Sequence, residues 1–534
     1  MTPPDLNAAA SAVELAREVV HQGWQQLATT GSVDDDQVVA YDLAHAAAAV
    51  EIARTLLDYG AKGDREARIA SAFAAAAIAD VVTKLYGREA AWGVEGARLD
   101  AVRPFVAAHR DPIFLATIDG TGPSHLDDDF ELVRETFRRF ADDKIRPVAE
   151  HIHRHNADIG EDIISGLAEL GGFGLSVPEQ YGGFATGGDS DYLGMVVATE
   201  ELSRGSLGVG GSLITRPEIL TRALVVGGTE AQKHAWLPRL ASGEVMAAVA
   251  VTEPDHGSDV ANITSTASRT EGGWLIRGVK TWCTFAARAD ALMLLARSDP
   301  DRSKAHRGLS LFVVPKPQGD GHGFKLTQEP GADGGAPGGG TMEARPIDTI
   351  GYRGMHSYEI AFDSWFVSHD NLVGGDDGLG RGFYLQMAGF ENGRLQTAAR
   401  AVGVMQAAYE AAHGYALERV VFGRPIAEYQ LTRVKLARMA VTIQAARQFS
   451  YTVARLMAKG EGALEAAMVK AYVCKAAEWV TREAMQLHGG YGYAEEYAVS
   501  RYFVDARVLS IFEGADETLC LKVIARRLVE QARG

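Results

Sequence analysis

Val251-Thr252-Glu253-Pro254-Asp255-His256-Gly257-Ser258-Asp259-Val260 stands where the hydrophobic period of the chain changes. Before it, apolar residues recur at helical spacing; around and after it, short runs of β-formers are separated by turn residues. Those runs are Val249-Ala250-Val251-Thr252, Thr264 to Arg269, Trp274 to Val279, Ala291 to Ala296, Leu309 to Val314 and Tyr358 to Phe362, so residues 245–372 read as a compact β domain. Within it, Gln328 to Arg345 carries Gly334-Gly335-Ala336-Pro337-Gly338-Gly339-Gly340 and reads as a flexible surface insertion rather than a lid.

Outward from this segment the chain is helical in both directions. Residues 121–244 hold helical patterns at Phe130 to Arg146, Asp162 to Leu170, Asp191 to Arg204 and Glu230 to Leu240. Residues 373–534 hold four long amphipathic segments, Phe383 to Arg419, Tyr429 to Ala458, Ala463 to Leu487 and Asp516 to Gln531, joined by short turns as in an antiparallel four-helix bundle. Residues 1–120 form an additional Ala-rich helical region over Ala8 to Leu27, Gln37 to Tyr59 and Asp64 to Tyr86, with a turn at Gly60-Ala61-Lys62-Gly63. Pro104, Pro112 and Gly120-Thr121-Gly122-Pro123 mark its end. The fold class is therefore mainly α with a central β domain.

Composition narrows the function. The 534 residues, 47% apolar and 23% charged, are enough for several domains. A formal net charge of -16 repels phosphate backbones and anionic membranes, which argues against nucleic acid and membrane as partners. Cys283, Cys474 and Cys520 are too sparse for a disulfide framework or a metal knuckle, as expected in a reducing cytoplasm. The start of the chain lacks a basic region followed by an apolar core, and the apolar run Ala72 to Val82 is broken by Asp80, so neither a signal peptide nor a membrane span is expected.

Three further segments carry chemistry. Leu509-Ser510-Ile511-Phe512-Glu513-Gly514-Ala515-Asp516-Glu517 sets a carboxylate between bulky apolar residues and a glycine. Desolvation there raises the energy of the charged form and sharpens Glu513 as a base. In isolation the pattern fits a helix-end carboxylate better, and the other motifs are what favour the base. Lys280-Thr281-Trp282-Cys283-Thr284 places an indole and a hydroxyl at i and i+2, on one side of a regular strand, where they can cover a flat ring and bond its edge; alone, the pair also fits an ordinary β core. Arg419, in Ala416-Leu417-Glu418-Arg419-Val420-Val421-Phe422-Gly423-Arg424, offers planar donors for a diphosphate. Gly489-Gly490, in Gln486-Leu487-His488-Gly489-Gly490-Tyr491, lets backbone amides approach a ligand and also caps a helix; His488 reads as structural.

In this order the motifs resemble the acyl-CoA dehydrogenase family over residues 127–531. The resemblance implies that family's fold, with an N-terminal helical domain, a β-barrel-like middle domain and a C-terminal four-helix bundle, plus the extra N-terminal extension. It implies FAD as cofactor, lying along Val251, Thr252, Gly257 and Ser258, with Trp282 by the isoalloxazine and Thr284 hydrogen-bonding N5. It implies that Arg419, Phe422, Gln430, Gln486, Gly489 and Gly490 hold the diphosphate and adenosine of a neighbouring subunit's FAD, hence a homo-oligomer, with Ala515 and Glu517 completing the cofactor set. No metal is implied. Glu513 is then the base for the acyl-CoA α-proton, and Gly393 stands at the position where some members carry their base instead. Gly514, Ser258, Glu391 and Arg394 are the implied acyl-CoA contacts, and electron-transferring flavoprotein is the implied electron acceptor.

Several features narrow the substrate. These are the extension, Asp255 and the Gly-rich insertion, which set the chain apart within the family; Ala515, in place of a commoner threonine, and Val249, in place of a common aromatic, bear instead on individual cofactor contacts. The resemblance then implies a short branched substrate with a free carboxylate, (2S)-methylsuccinyl-CoA oxidised to mesaconyl-CoA. A distal carboxylate requires a cation or several donors, for which Arg216 and Arg222 are candidates, with Arg204 and Arg353 behind them; each alone also reads as a surface arginine. The extension is expected to cover a tetramer-forming surface and leave a dimer. Competing readings are a generic short- or branched-chain dehydrogenase, an acyl-CoA oxidase and a non-catalytic flavin-binding scaffold.

Overall fold

Asp5 starts the first helix by accepting hydrogen bonds from the backbone N–H groups of Asn7 and Ala8, the usual way a side chain satisfies orphan donors at a helix start. From there α1 (Leu6–Thr30), α2 (Gln37–Gly60) and α3 (Asp64–Leu85) follow within a few residues of the sequence reading. Alanine lets them approach closely: Ala9, Ala44, Ala70 and Ala74 are fully buried. A Cβ on Gly60 would lie 2.9 Å from the Ala70 Cβ and 3.0 Å from Leu6 Cδ2, so a larger residue there would force the helices apart.

The structure, a computed structural model, describes residues 4–188, 191–319, 322–331 and 338–533. The chain divides into two compact units, residues 1–138 with 394–534, and residues 139–393. In the first, α2 and α3 pack on helix Gln430–Ala458, α2 also on helix Ala463–Leu487 and on the π-helical stretch Leu519–Ala525, and α1 on the terminal helix Arg526–Arg533. Phe73 meets Tyr472 edge-on at 5.9 Å, and Arg533 Nε donates to the Ala28 carbonyl.

Arg103–Arg110 and Arg146–His155 extend the helical regions beyond the segments read from sequence, and two longer helices escaped that reading for a physical reason. Ala498–Leu509 buries Arg501 and Asp505 as an ion pair at 3.7 Å, so charges occupy positions where an apolar stripe would be sought. Thr215–Gly227 is buried through almost every turn, Arg216 and Glu218 included, which leaves no amphipathic period to detect. The segment expected as one helix from Asp516 to Gln531 also contains the π-helical stretch.

The second unit is built on an eight-stranded sheet. Its strands are β1 (Ala247–Ala250), β2 (Thr266–Thr270), β3 (Gly273–Thr284), β4 (Ala291–Arg297), β5 (Leu309–Pro315), β6 (Phe324–Gln328), β7 (Gly340–Ile347) and β8 (Ser357–Ser368). The order is β1-β4-β2-β3-β8-β7-β6, with β5 on β4. The Gly-rich insertion connects β6 to β7; its residues 332–337 lie outside the described residues. Its distal part is not a loop: residues 340–345 form β7 and pair with both β6 and β8. Met342 and Ala344 alternate inward there, but the flanking glycines and Pro346 hide the pattern.

Ile219, Leu220 and Leu224 of helix Thr215–Gly227 share one core with Val249, Met293, Leu295, Leu311 and Val313 of the sheet, each fully buried side chain of this kind contributing about 2 kcal/mol. Among the described residues no helix is long and apolar enough to cross a membrane. Cys283, Cys474 and Cys520 are all free and buried.

Candidate active site

In the 139–393 unit, the Val251–Val260 segment is knotted to β3. Glu253 and His256 exchange backbone hydrogen bonds around Pro254-Asp255, closing a tight turn. The Glu253 carboxylate then points inward: Oε2 accepts from Thr264 N and Oγ1, and Oε1 accepts from Ser265 N and from Lys280 Nζ at 2.8 Å. Lys280, 0% exposed, also donates to the Val251 carbonyl, and Thr281 N donates to the Thr252 carbonyl at 2.8 Å. Burial acts to raise the Glu253 pKa, but the adjacent Lys280 charge and this set of donors outweigh it and hold the carboxyl down at about 2. Both residues lie inside quoted motifs, yet sequence reasoning gave neither a role. A lysine on an inward-facing strand position was the available signal.

This knot brings Val251 and Thr252 against the strand that carries Trp282 and Thr284. The strand is not regular there. The β3–β8 register shifts between Lys280 and Cys283, and Trp282 has φ of 58°. This β-bulge turns the indole outward, 56% exposed, while Thr284 is buried with its Oγ1 3.0 Å from Ser357 Oγ. The i, i+2 alternation expected of a plain strand is therefore replaced by a bulge: the flat apolar ring faces outward, and the Thr284 hydroxyl is turned inward to Ser357. Gly257 and Ser258 are exposed on the neighbouring loop.

All four arginines named for a distal carboxylate make contacts within the fold. Arg204 bonds Asp142 at 2.8 Å and Glu201 at 2.7 Å, and Arg353 donates to the His153 and Thr349 carbonyls. Arg216 is buried and is no surface arginine; its charge reaches the Cys283 thiol, which burial pushes up to about 12 against the pull of Lys280 and Arg216. Arg222 lies over the Tyr192 ring at 5.0 Å. Glu391 is half-buried.

In the other unit, Glu513 sits half-buried on the turn after helix Ala498–Leu509. Glu513 has φ of 54° and Gly514 φ of 96°, two consecutive left-handed residues of which only the glycine accommodates that conformation readily. The turn is held from below. Lys470 Nζ donates to the Gly514 carbonyl at 2.5 Å, and the Arg400 guanidinium lies 4.8 Å over the Phe512 ring. Burial lowers the Lys470 pKa, opposed by the charges of Cys474, Asp516 and Glu513, with Arg394 acting in the same direction as burial. Lys470 was missed from sequence because it lies within an otherwise unremarkable Ala-rich helix. Ala515 is half-buried and Glu517 exposed.

Arg419, Gln486, Gly489 and Gly490 line one open groove of about 450 Å³ with Tyr415, His488 and Tyr491. Arg419 lies 5.9 Å from the Tyr491 ring, and His488 stacks on Tyr415 at 4.3 Å while bonding the Ala484 carbonyl. A Cβ on Gly489 or Gly490 would meet no atom of the chain within 4 Å, which leaves this backbone open to approach. Phe422 and Gln430 do not line the groove. Phe422, φ 51°, stands 95% exposed at the tip of the hairpin formed by Val420–Val421 and Arg424–Pro425. The exposed indole fits a flat heteroaromatic ring, and the groove with its arginine and bare glycines fits a phosphate-bearing tail.

Three family models match consecutive stretches: the N-terminal domain of acyl-CoA dehydrogenases over residues 127–244, the middle domain over 248–365 and the C-terminal domain over 380–529. (2S)-Methylsuccinyl-CoA dehydrogenase of Cereibacter sphaeroides is 44% identical over 427 residues, covering 80% of this chain and 73% of that protein. The chain belongs to the acyl-CoA dehydrogenase family. It is thus an oxidoreductase acting on acyl-CoA. Mitochondrial isovaleryl-CoA dehydrogenase of Solanum tuberosum is 34% identical, covering 76% of this chain and 92% of the relative. The solved structure of a glutaryl-coenzyme A dehydrogenase glutaryl-CoA complex superposes with a TM-score of 0.67 at 31% identity, over 75% of this acyl-CoA dehydrogenase chain and 95% of that one. The three domain models begin at residue 127, so α1 to α3 lie outside them.

Proposed function

We propose that this acyl-CoA dehydrogenase uses FAD to oxidise (2S)-methylsuccinyl-CoA to mesaconyl-CoA. The observation that carries the chemistry is the Glu513 turn: a half-buried carboxylate in a left-handed conformation, fastened through Gly514 to a buried lysine. An α C–H beside a thioester is a weak acid, so its removal needs a fixed base and stabilisation of the developing enolate oxygen. Glu513 takes the α-proton, and its own backbone N–H donates to the thioester oxygen. FAD, when bound, supplies the acceptor for the β-hydride. Val251, Thr252, Gly257, Ser258, Trp282 and Thr284 would hold the ring; Arg419, Phe422, Gln430, Gln486, Gly489 and Gly490 would hold the diphosphate and adenosine across a subunit boundary, with Ala515 and Glu517 completing the cofactor set. Glu391, Arg394 and Gly514 would contact the acyl-CoA, and electron-transferring flavoprotein would take the electrons onward.

The methylsuccinyl relative and the burial of Arg216 support the substrate. A cation already desolvated by the fold attracts a distal carboxylate strongly and repels an alkyl end. Methylsuccinyl-CoA should be oxidised far faster than butyryl-CoA with a ferrocenium-type acceptor, and Arg216→Met should erase that preference; the reverse ranking in wild type sinks the substrate reading alone. Glu513→Gln should abolish turnover, by about four orders of magnitude or more for loss of an essential base. Wild-type rates of anaerobic flavin bleaching in that variant would remove Glu513 from the mechanism. The division at residues 120, 244 and 372 is proposed with this function.

A further inference from the structure

The exit of the Glu513 turn is fastened by two residues that belong to no motif. Asp516, the first residue of the following helix, is buried, and its backbone N–H donates to the Ser510 carbonyl across the turn. Its carboxylate faces α2: Tyr41 Oη donates to Oδ2, and His45 Nε2 lies 3.1 Å from the same oxygen. A carboxylate can only accept, so the imidazole donates from Nε2. Lys475 completes the set, 2.6 Å from Tyr41 Oη and 3.6 Å from Oδ2, and Cys520 Sγ lies 3.5 Å from His45 Nε2. His45, Tyr41 and Lys475 keep Asp516 below the usual carboxylate range although burial acts the other way.

We infer that Tyr41 and His45 are positioning residues for proton abstraction: by holding Asp516, α2 fixes the exit of the turn on which Glu513 stands. This rests on the reading of Glu513 as the base. Two consecutive left-handed residues relax unless both ends of the turn are held. Lys470 holds the middle at Gly514, and Asp516 holds the exit, with its hydroxyl and imidazole partners both from residues 1–120. The trio of His45, Asp516 and Cys520 has metal-ligating atoms within 4.8 Å of one another. The Lys475 ammonium, however, already balances the carboxylate, and a cation there would face it directly.

The test uses the full-length, flavin-loaded enzyme. Tyr41→Phe, and Tyr41→Phe with His45→Leu, should lower kcat about tenfold or more, since small displacements of a catalytic group cost rate steeply. KM should stay within about twofold, flavin content and Tm should be near wild type in Tyr41→Phe, and α-hydrogen exchange of a bound acyl-CoA with D2O should fall in parallel. His45→Gln, which keeps an N–H donor, should recover most of the rate lost in a His45→Leu single variant. Wild-type kcat and exchange in the double variant overturn the inference, as does a loss that tracks flavin content instead of exchange, or stoichiometric zinc in the purified protein. Glu513→Gln separates the two readings. Exchange surviving in that variant sinks the base; exchange lost there yet untouched in the Tyr41 and His45 variants sinks only the positioning role.

Discussion

Glu253 and Lys280 form the most completely buried ion pair joining the segment at 251–260 to its neighbouring strand, at 3% and 0% exposure. Breaking such a pair from one side strands a charge, so Lys280→Met should cost about 3–5 kcal/mol in denaturant unfolding, whereas Glu253→Gln with Lys280→Met should recover part of it. The pH dependence has a definite sign. The folded-state value of about 2 lies below the ordinary 4.5, so the stabilisation is complete above pH 4.5 and is lost as pH falls toward 2. That gap corresponds to about 3 kcal/mol, and the Glu253→Gln variant should lack this component of the acid sensitivity in a urea titration. At this scale the motifs around Trp282, Thr284 and Glu513 could be singled out from sequence, and Glu253 was quoted among them without a role. What Lys280 and Lys470 touch was not legible, because a lysine's burial is decided by residues far away in sequence.

At the scale of elements, legibility follows amphipathicity and length. α1 has one buried and one wet face, and α2 and α3, although buried through most of their middle turns, are long Ala-rich runs; all three could be read to within a few residues. The helices Thr215–Gly227 and Ala498–Leu509 could not, since the first is buried nearly all round and the second turns an ion pair inward. β6 and β7 were hidden by the glycines between them. The bulge at Trp282 was also beyond the sequence, because a positive φ on tryptophan is imposed by the β3–β8 register rather than by local preference. An indole held outward adds little to folding. Trp282→Ala should therefore leave urea unfolding of the flavin-free chain within about 0.5 kcal/mol while lowering flavin occupancy, read as the ratio of visible to ultraviolet absorbance. A large loss of apo stability would show that the indole packs within the fold and is no cofactor platform.

At the scale of the whole molecule, the extension belongs with the C-terminal helices. α1 to α3 cover faces of helices Gln430–Ala458 and Ala463–Leu487 and of the terminal segment, and Asp34 draws Lys522 and Arg526 toward the α1–α2 connection. An oligomer cannot use a surface its own chain already covers, so the proposed assembly is a dimer; light scattering giving a tetrameric mass would contradict it. Domain order and the class of reaction could be read from sequence alone, but this packing could not, because Ala-rich helices carry little to mark their partners. The three free thiols have a practical corollary. None reaches solvent, and burial pushes Cys283 up to about 12, Cys474 up to about 11 and Cys520 upward as well, so thiolate, the reactive form, is scarce at neutral pH. The native chain should therefore react only slowly with maleimides. One cysteine planted on its surface would be a unique handle for a dye, a spin label or a crosslinker, without first stripping the native three.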